Sequence, residues 1–187
     1  MNPDLLASYP RICITSTGGG GGKTLLSLGL CRAFRQAGLD VKPFKKGPDY
    51  IDAAWLTGAA AEPATCLDPF FMDGPGLRKL FSSSMAGHDL AIIEGNRGLF
   101  DGLNESGVCS TSQVARSLEC PIIICIDCAK STRTIAAVLN GLANFEPGLD
   151  FAGVVLNRVG SPRHASSLRA AINANTELKI LGCLPRL

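Results

Sequence analysis

Short, near-continuous apolar runs recur along the chain, at 11–16, 41–45, 90–94, 122–127, 151–157 and 180–184. They do not alternate with polar residues, which is the pattern of strands covered on both faces. Longer stretches with helical spacing lie between them, at 24–37, 75–86, 111–118, 132–144 and 163–173, with a shorter one near 52–56. Gly38, Gly87 and Gly148 fall where helix stops are expected. Strands alternating with helices predict right-handed βαβ units and a mostly parallel central sheet flanked by helices, a three-layer α/β fold. Ligands of such sheets sit at the carboxyl ends of the strands. The polar residues that follow each strand are therefore the ones to examine.

The first strand runs into Ser16-Thr17-Gly18-Gly19-Gly20-Gly21-Gly22-Lys23-Thr24, and a helical pattern begins near Leu25. Strand, glycine loop and helix in that order make a phosphate cradle. Backbone N–H groups converge on phosphate oxygens, the helix N-terminus adds partial positive charge, Lys23 reaches the β/γ-phosphates and the Thr24 hydroxyl can ligate Mg²⁺. The strict pattern places glycine six residues before the lysine, where this chain has Thr17, so the loop is a variant. A flexible glycine linker is the alternative, but linkers are rarely followed by Lys-Thr and an apolar helix. The expected fold is P-loop NTPase-like, with ATP and Mg²⁺ as ligands held by residues 17–25: Thr17, Gly18, Gly19, Gly20, Gly21, Gly22, Lys23, Thr24 and Leu25.

The other strand ends carry Lys45-Lys46-Gly47-Pro48-Asp49-Tyr50-Ile51-Asp52, Glu94-Gly95-Asn96-Arg97-Gly98-Leu99-Phe100-Asp101-Gly102, Asp127 with Lys130, and Asn157-Arg158. Glu94 closes an apolar run, and a carboxylate there in a P-loop fold usually meets Mg²⁺; the alternative is a strand-end acid capping a turn. Asp49 and Asp52 suit metal or substrate positioning, although Asp after Gly-Pro is also ordinary turn chemistry. For Asp101, before Gly102, turn and metal readings stand level. Lys45, Lys46 and Arg97 read either as solvated charges or, beside a phosphate site, as anchors for an anionic substrate. Asn157 offers donor and acceptor together and suits a purine edge. Arg158 and the backbone near Pro185 lie beside it.

Composition narrows this further. At 187 residues, 46% hydrophobic and 18% charged, the chain is long and apolar enough for one folded domain. A net charge of +2 is too balanced to argue for nucleic acid or an anionic membrane as partner. The apolar runs are strand length, and no signal-peptide pattern opens the chain, so a cytoplasmic location is expected. Eight cysteines (13, 31, 66, 109, 120, 125, 128 and 183) mostly fall inside predicted elements, as buried apolar thiols do. The pair Cys125 and Cys128 could chelate a metal only if the chain turned there. His88 and His164 are the only histidines, and no Ser/His/Asp or Cys/His arrangement is evident.

Three segments carry a resemblance: Pro43-Phe44-Lys45-Lys46-Gly47-Pro48-Asp49-Tyr50-Ile51-Asp52, Glu94-Gly95-x-x-Gly98-Leu99-Phe100-Asp101-Gly102, and Gly153-Val154-Val155-Leu156-Asn157-Arg158-Val159. In order and spacing the chain resembles the cobyrinic acid a,c-diamide synthase family, in the dethiobiotin synthetase-like group of P-loop proteins. The resemblance implies ATP- and Mg²⁺-dependent amidation of tetrapyrrole carboxylates through an acyl phosphate, with ammonia from glutamine. It implies catalytic roles for Lys23, Asp49, Asp52, Glu94 and Asp101, and metal contacts from Thr24, Asp49 and Glu94. Tyr50 and Ile51 match positions beside the substrate carboxylate, and Asn157 matches the nucleotide-base position. Lys46, Asn96-Arg97 and the segment 128–133 look more like the branch that amidates sirohydrochlorin-type rings. Family members carry a glutaminase domain that these residues do not include, so a glutaminase domain or other ammonia source is an expected partner. Two other classes compete. A switch ATPase of the partition type usually has an extra lysine early in the loop, where this chain has Gly18. A dethiobiotin synthetase-like ligase poorly explains Gly-Pro-Asp-Tyr-Ile-Asp. The oligomeric state is open, with a homodimer as one option.

Overall fold

The computed structural model describes residues 8–186. The chain alternates β1 (Arg11–Thr15), α1 (Lys23–Gln36), β2 (Val41–Lys46), α2 (Tyr50–Ala60), β3 (Thr65–Leu67), α3 (Gly74–Ser84), β4 (Leu90–Glu94), α4 (Thr111–Ser117), β5 (Ile122–Asp127), α5 (Arg133–Phe145), β6 (Phe151–Val159), α6 (Pro162–Asn175) and β7 (Ile180–Pro185). The strands form one sheet in the order β3-β2-β4-β1-β5-β6-β7, and every recorded pairing is parallel. The chain thus winds outward to one edge, returns to insert β4 between β2 and β1, and then builds the other edge from β5. The crevice beside β1, where the winding reverses, is where this class of sheet binds ligands.

Both faces of the sheet are covered, which is why most strands read as near-continuous apolar runs; β2, with Lys42, Lys45 and Lys46, does not. Successive residues point to opposite faces. Cys13, Ile93 and Ile124 join one core with Leu77 and Phe81 of α3, Val114 of α4, Leu139 of α5 and Leu168 of α6. Ile14, Ile92 and Ile123 join the other with Leu26 and Cys31 of α1 and Leu56 and Ala60 of α2. Gly38, Gly87 and Gly148 adopt positive φ of 91°, 86° and 75°, as expected of helix stops.

Two elements differ from the sequence expectation. The strand β3 was not anticipated. It is three residues long, pairs only with β2, and has an exposed cysteine at its centre, too little pattern to stand out. Helix α2 runs from Tyr50 to Ala60 rather than over 52–56. Only Leu56 and Ala60 of it are buried, so it shows no apolar stripe. Its start is set by Asp49, whose carboxylate accepts the Asp52 N–H at 3.2 Å as an N-cap.

Candidate active site

The glycine loop leaves β1 and turns into α1 through Gly22, whose φ of 100° no L-side chain holds easily. A Cβ at Gly22 would run into the Asn157 amide, and one at Gly21 would meet the Ser16 side chain at 2.8 Å. Beyond Gly18, Gly19 and Gly20 there is open space instead. The loop is therefore packed against the sheet on one side and free on the other. Lys23 folds across it, its Nζ donating to Ser16 Oγ and to the Gly18 carbonyl, each at 2.8 Å. Neither acceptor carries a full charge, and the first turn of α1 has no acidic residue. A cation held only by neutral acceptors beside a helix N-terminus is a seat for an anion. Burial, with the charge of Lys45 in support, pulls the Lys23 ammonium below its ordinary pKa.

A second network joins the ends of β2 and β4 to the first turns of α1 and α2. Thr24 Oγ1 donates to Glu94 Oε1 at 2.7 Å. Lys45 Nζ donates to the same Oε1 at 3.0 Å, to Asp52 Oδ2 at 2.8 Å and to the Gly95 carbonyl at 3.1 Å. Glu94 is wholly buried and Lys45 is 1% exposed. Among the described residues Glu94 Oε2 has no hydrogen-bond partner. Burial raises the Glu94 carboxyl above its ordinary value, against the opposing pull of Lys45. For Lys45 burial acts downward, but Glu94 and Asp52 outweigh it and the ammonium is held above its ordinary value. The register explains the meeting: Lys45 pairs with Glu94 across β2 and β4, and Ile14 pairs with Glu94 across β1 and β4. Among the described residues no three His, Cys, Asp or Glu side chains cluster as a metal cage. The hard oxygens of Thr24, Glu94, Asp52 and Asp49 fit Mg²⁺ that brings most of its own ligands, as a nucleotide-bound ion does.

Two clefts flank this centre. One, of about 670 Å³, is lined by Gly22, Leu25, Asn157, Arg158, Pro185 and His164, among others. Asn157 ties the loop to β6, its amide donating to the Gly21 carbonyl at 3.1 Å while its oxygen accepts the Arg158 N–H at 2.9 Å. Arg158 pairs with Asp127 at 2.7 Å. His164, for which a helix-cap reading and a ligand reading stand level in the sequence, lines this cleft. Its Nδ1 accepts from Gly160 N–H at 3.1 Å, so the proton sits on Nε2, which meets the Ser131 carbonyl at 2.6 Å. Its place just after the β6 carboxyl end was the available signal.

The other cleft, of about 430 Å³, is lined by Lys46, Asp68, Phe70, Phe71, Arg97 and Asp101, among others. Burial lowers the pKa of Lys46, and Asp68 partly opposes it. Arg97 takes a left-handed φ of 54° in the loop after β4. That loop is pressed on the glycine loop: a Cβ at Gly98 would meet the Thr17 carbonyl at 2.8 Å. Asp101 accepts the Gly98 N–H at 2.8 Å, which shapes this turn. Tyr50 and Ile51 stand exposed at the start of α2. Asp68, Phe70 and Phe71 follow the short β3 and had no motif to mark them. Lys45, grouped by sequence with Lys46 and Arg97, lies beneath this surface between two carboxylates. Cys125 and Cys128 hold no metal geometry. Both are buried, their thiols donate to the Gly21 and Ile126 carbonyls, and burial pushes them up to about 11 and about 12.

Residues 12–187 match the family model described as CobQ/CobB/MinD/ParA nucleotide binding domain. The chain is 41% identical over 177 residues to cobyrinate a,c-diamide synthase of Magnetococcus marinus, covering 95% of this chain and 38% of that protein. It is 39% identical over 180 residues to hydrogenobyrinate a,c-diamide synthase of Mycobacterium tuberculosis, covering 94% and 39%. The chain therefore spans about two fifths of the length of these relatives. Among solved structures, cobyrinic acid a,c-diamide synthase from Mycobacterium smegmatis with bound ATP analogue and magnesium superposes with a TM-score of 0.62 at 16% identity, covering 96% of this chain and 88% of that one. That likeness shows the P-loop NTPase-like fold. With the glycine loop, its lysine and the buried strand-end glutamate in place, the sequence match settles the family: the chain belongs to the CobQ/CobB/MinD/ParA nucleotide-binding family.

Proposed function

We propose that this chain is the ATP-binding, carboxylate-activating unit of an amidoligase acting on a tetrapyrrole, of the a,c-diamide synthase kind. The observation that carries it is the join of Lys45 and Glu94, at the ends of β2 and β4, with Thr24 and Asp52 in the first turns of α1 and α2, beside an anion seat and between two clefts. Bound ATP with Mg²⁺ would supply the phosphoryl group that turns an unreactive carboxylate into an acyl phosphate, leaving ADP, and ammonia attacking the acyl carbon would then release phosphate and leave the amide. The chain's own residues do the rest. Lys23 and the loop N–H groups hold phosphate oxygens and oppose the charge that gathers during transfer. Glu94 orients the Thr24 hydroxyl. The larger cleft takes the base and ribose between Leu25, Arg158 and Pro185. The smaller one, cationic at Lys46 and Arg97 and apolar at Phe70 and Phe71, suits a flat ring edged with carboxylates. Names of relatives at about 40% identity support that substrate class. We also place the protein in the cytoplasm: its eight cysteines are free, and no described helix is long and apolar enough to cross a membrane. Incubation with ATP, Mg²⁺, ammonium and either cobyrinic or hydrogenobyrinic acid tests the reading. Mass spectrometry should find mono- and diamide products; ATP-independent product or none with either ring would overturn it.

Two further outcomes follow. In Lys46→Met/Arg97→Asn, the KM for the carboxylate substrate should rise about tenfold, the loss expected for a charge-assisted hydrogen bond. Asparagine tolerates the left-handed φ at 97, so the loop should keep its shape. The KM for ATP should stay within about twofold, and an equal rise in both would place these residues at the nucleotide.

The second outcome concerns ammonia. No described cysteine hydrogen-bonds a histidine. His88 lies 3.6 Å from Glu62, and both ring nitrogens of His164 are engaged. Without a thiol activated by a base, these residues should release no glutamate from glutamine, and free ammonium should serve instead. Robust glutamate release measured with the purified chain would contradict this division of labour.

A further inference from the structure

Lys45 is an unusual ion-pair partner. All three of its ammonium hydrogens are spoken for by oxygens at 2.8–3.1 Å: two from carboxylates and one from the Gly95 carbonyl. That is the donor set a hard cation takes. Lys45 and Thr24 both donate to Glu94 Oε1, while Oε2, in a side chain with no solvent exposure, has no partner among the described residues. Two carboxylates share this one ammonium as a direct partner, and Lys23 is close enough to feel both of their charges. Lys45 sits on a rigid strand end, whereas Asp52 reaches in from the first turn of α2 and remains about a quarter exposed.

We propose that the Lys45 ammonium is a placeholder for the divalent cation: it occupies the Glu94–Asp52 pair in the metal-free protein and is displaced from Glu94 when metal arrives with the nucleotide. This rests on the proposed function in one respect, that metal is brought to Glu94. A placeholder does two things. It keeps a buried carboxylate neutralised between turnovers, which bare Glu94 and Asp52 would not tolerate. It also bars free metal from the pocket, because the incoming ion must overcome a like charge a few ångströms away. Only a metal already carried on phosphates, and anchored by the glycine loop, is delivered with enough additional binding to exchange with it. Lys45 is thus a positioning residue that makes metal entry conditional on nucleotide.

The probe is Mn²⁺ alone, without nucleotide, followed by the loss of the free-ion EPR signal and by thermal denaturation. The wild-type chain should bind Mn²⁺ poorly and show an unchanged Tm. Lys45→Met should bind it roughly 10–100-fold more tightly, as expected when a unit charge leaves the edge of such a site, with a lowered Tm that Mn²⁺ restores. In Lys45→Met/Glu94→Gln, the gain in Mn²⁺ binding should vanish. Equal Mn²⁺ affinity in wild type and Lys45→Met overturns the placeholder, as does a gain that survives in the double variant. Should Lys45→Met not fold, amine acetylation of the wild type decides. Lys45 should be protected in EDTA and become reactive at high Mn²⁺, and protection that persists overturns the idea. Mn²⁺ binding with ATP present separates the two readings. Its absence there defeats metal at Glu94 and so the proposed function, while equal affinities without nucleotide defeat only the placeholder.

Discussion

A Lys23→Ala protein is expected to fold and to lose ATP turnover by roughly 10²–10³-fold, the usual loss when one charge-stabilising contact to a transition state is removed. The structure explains why the two effects separate. The ammonium bonds a hydroxyl and a carbonyl, and those two groups already bond each other, Ser16 Oγ donating to the Gly18 carbonyl at 2.6 Å. Removing the lysine leaves neither without a partner. It also removes a buried cation whose charge is disfavoured by burial and by Lys45. Stability should therefore change little, whereas the phosphate seat loses its only full charge from the loop. ADP release, measured alongside circular dichroism and Tm, checks both halves. Near-normal turnover in a folded Lys23→Ala protein would remove the phosphate role.

Glu94→Gln should be costly in both respects. The substitution keeps the shape but puts an amide where Thr24 and Lys45 donate to Oε1 and where no described residue bonds Oε2. If the amide nitrogen takes the Oε2 position, it is a buried donor with no acceptor. If it takes the other, it faces two donors. Either arrangement costs about 1–3 kcal/mol. Lys45 keeps Asp52 and the Gly95 carbonyl, which limits the damage. Turnover should fall by about 10²-fold, and the Mg²⁺ concentration for half-maximal rate should rise about tenfold or more. A magnesium titration with an unshifted midpoint would make Glu94 a structural acid only.

What the sequence made legible follows from how its signals are written. The phosphate loop was readable because glycine, lysine and threonine leave no cheaper explanation in that order. The alternation of buried strands and helices was readable because both sheet faces are covered. Glu94 stood out as a charge ending an apolar run. Lys45 did not separate from Lys46, although one is enclosed by carboxylates and the other lines a cleft. Adjacent strand residues point to opposite faces, but which face holds the acids depends on where β4 inserts, and no local pattern states that. Asp68, Phe70 and Phe71 were invisible because they follow a three-residue edge strand. Asp49 carried turn and site readings together, and its observed bond is that of a helix cap.

The insertion of β4 between β1 and β2 also bears on the chain's biogenesis. The bond from Thr24 to Glu94 spans 70 residues, and that from Lys45 to Glu94 spans 49. On a ribosome, β1, the glycine loop, α1 and β2 emerge well before the strand that must separate β1 from β2. Until β4 is made, the two earlier strands flank a gap, and their unpaired edges are open to wrong partners. The lysine and threonine of the loop are then present without the acid that orients them. Nucleotide capture thus becomes a late event in synthesis, available only once the middle of the sheet has closed. A nucleotide that binds the finished sheet and not its precursors would also draw nascent chains toward completion by mass action.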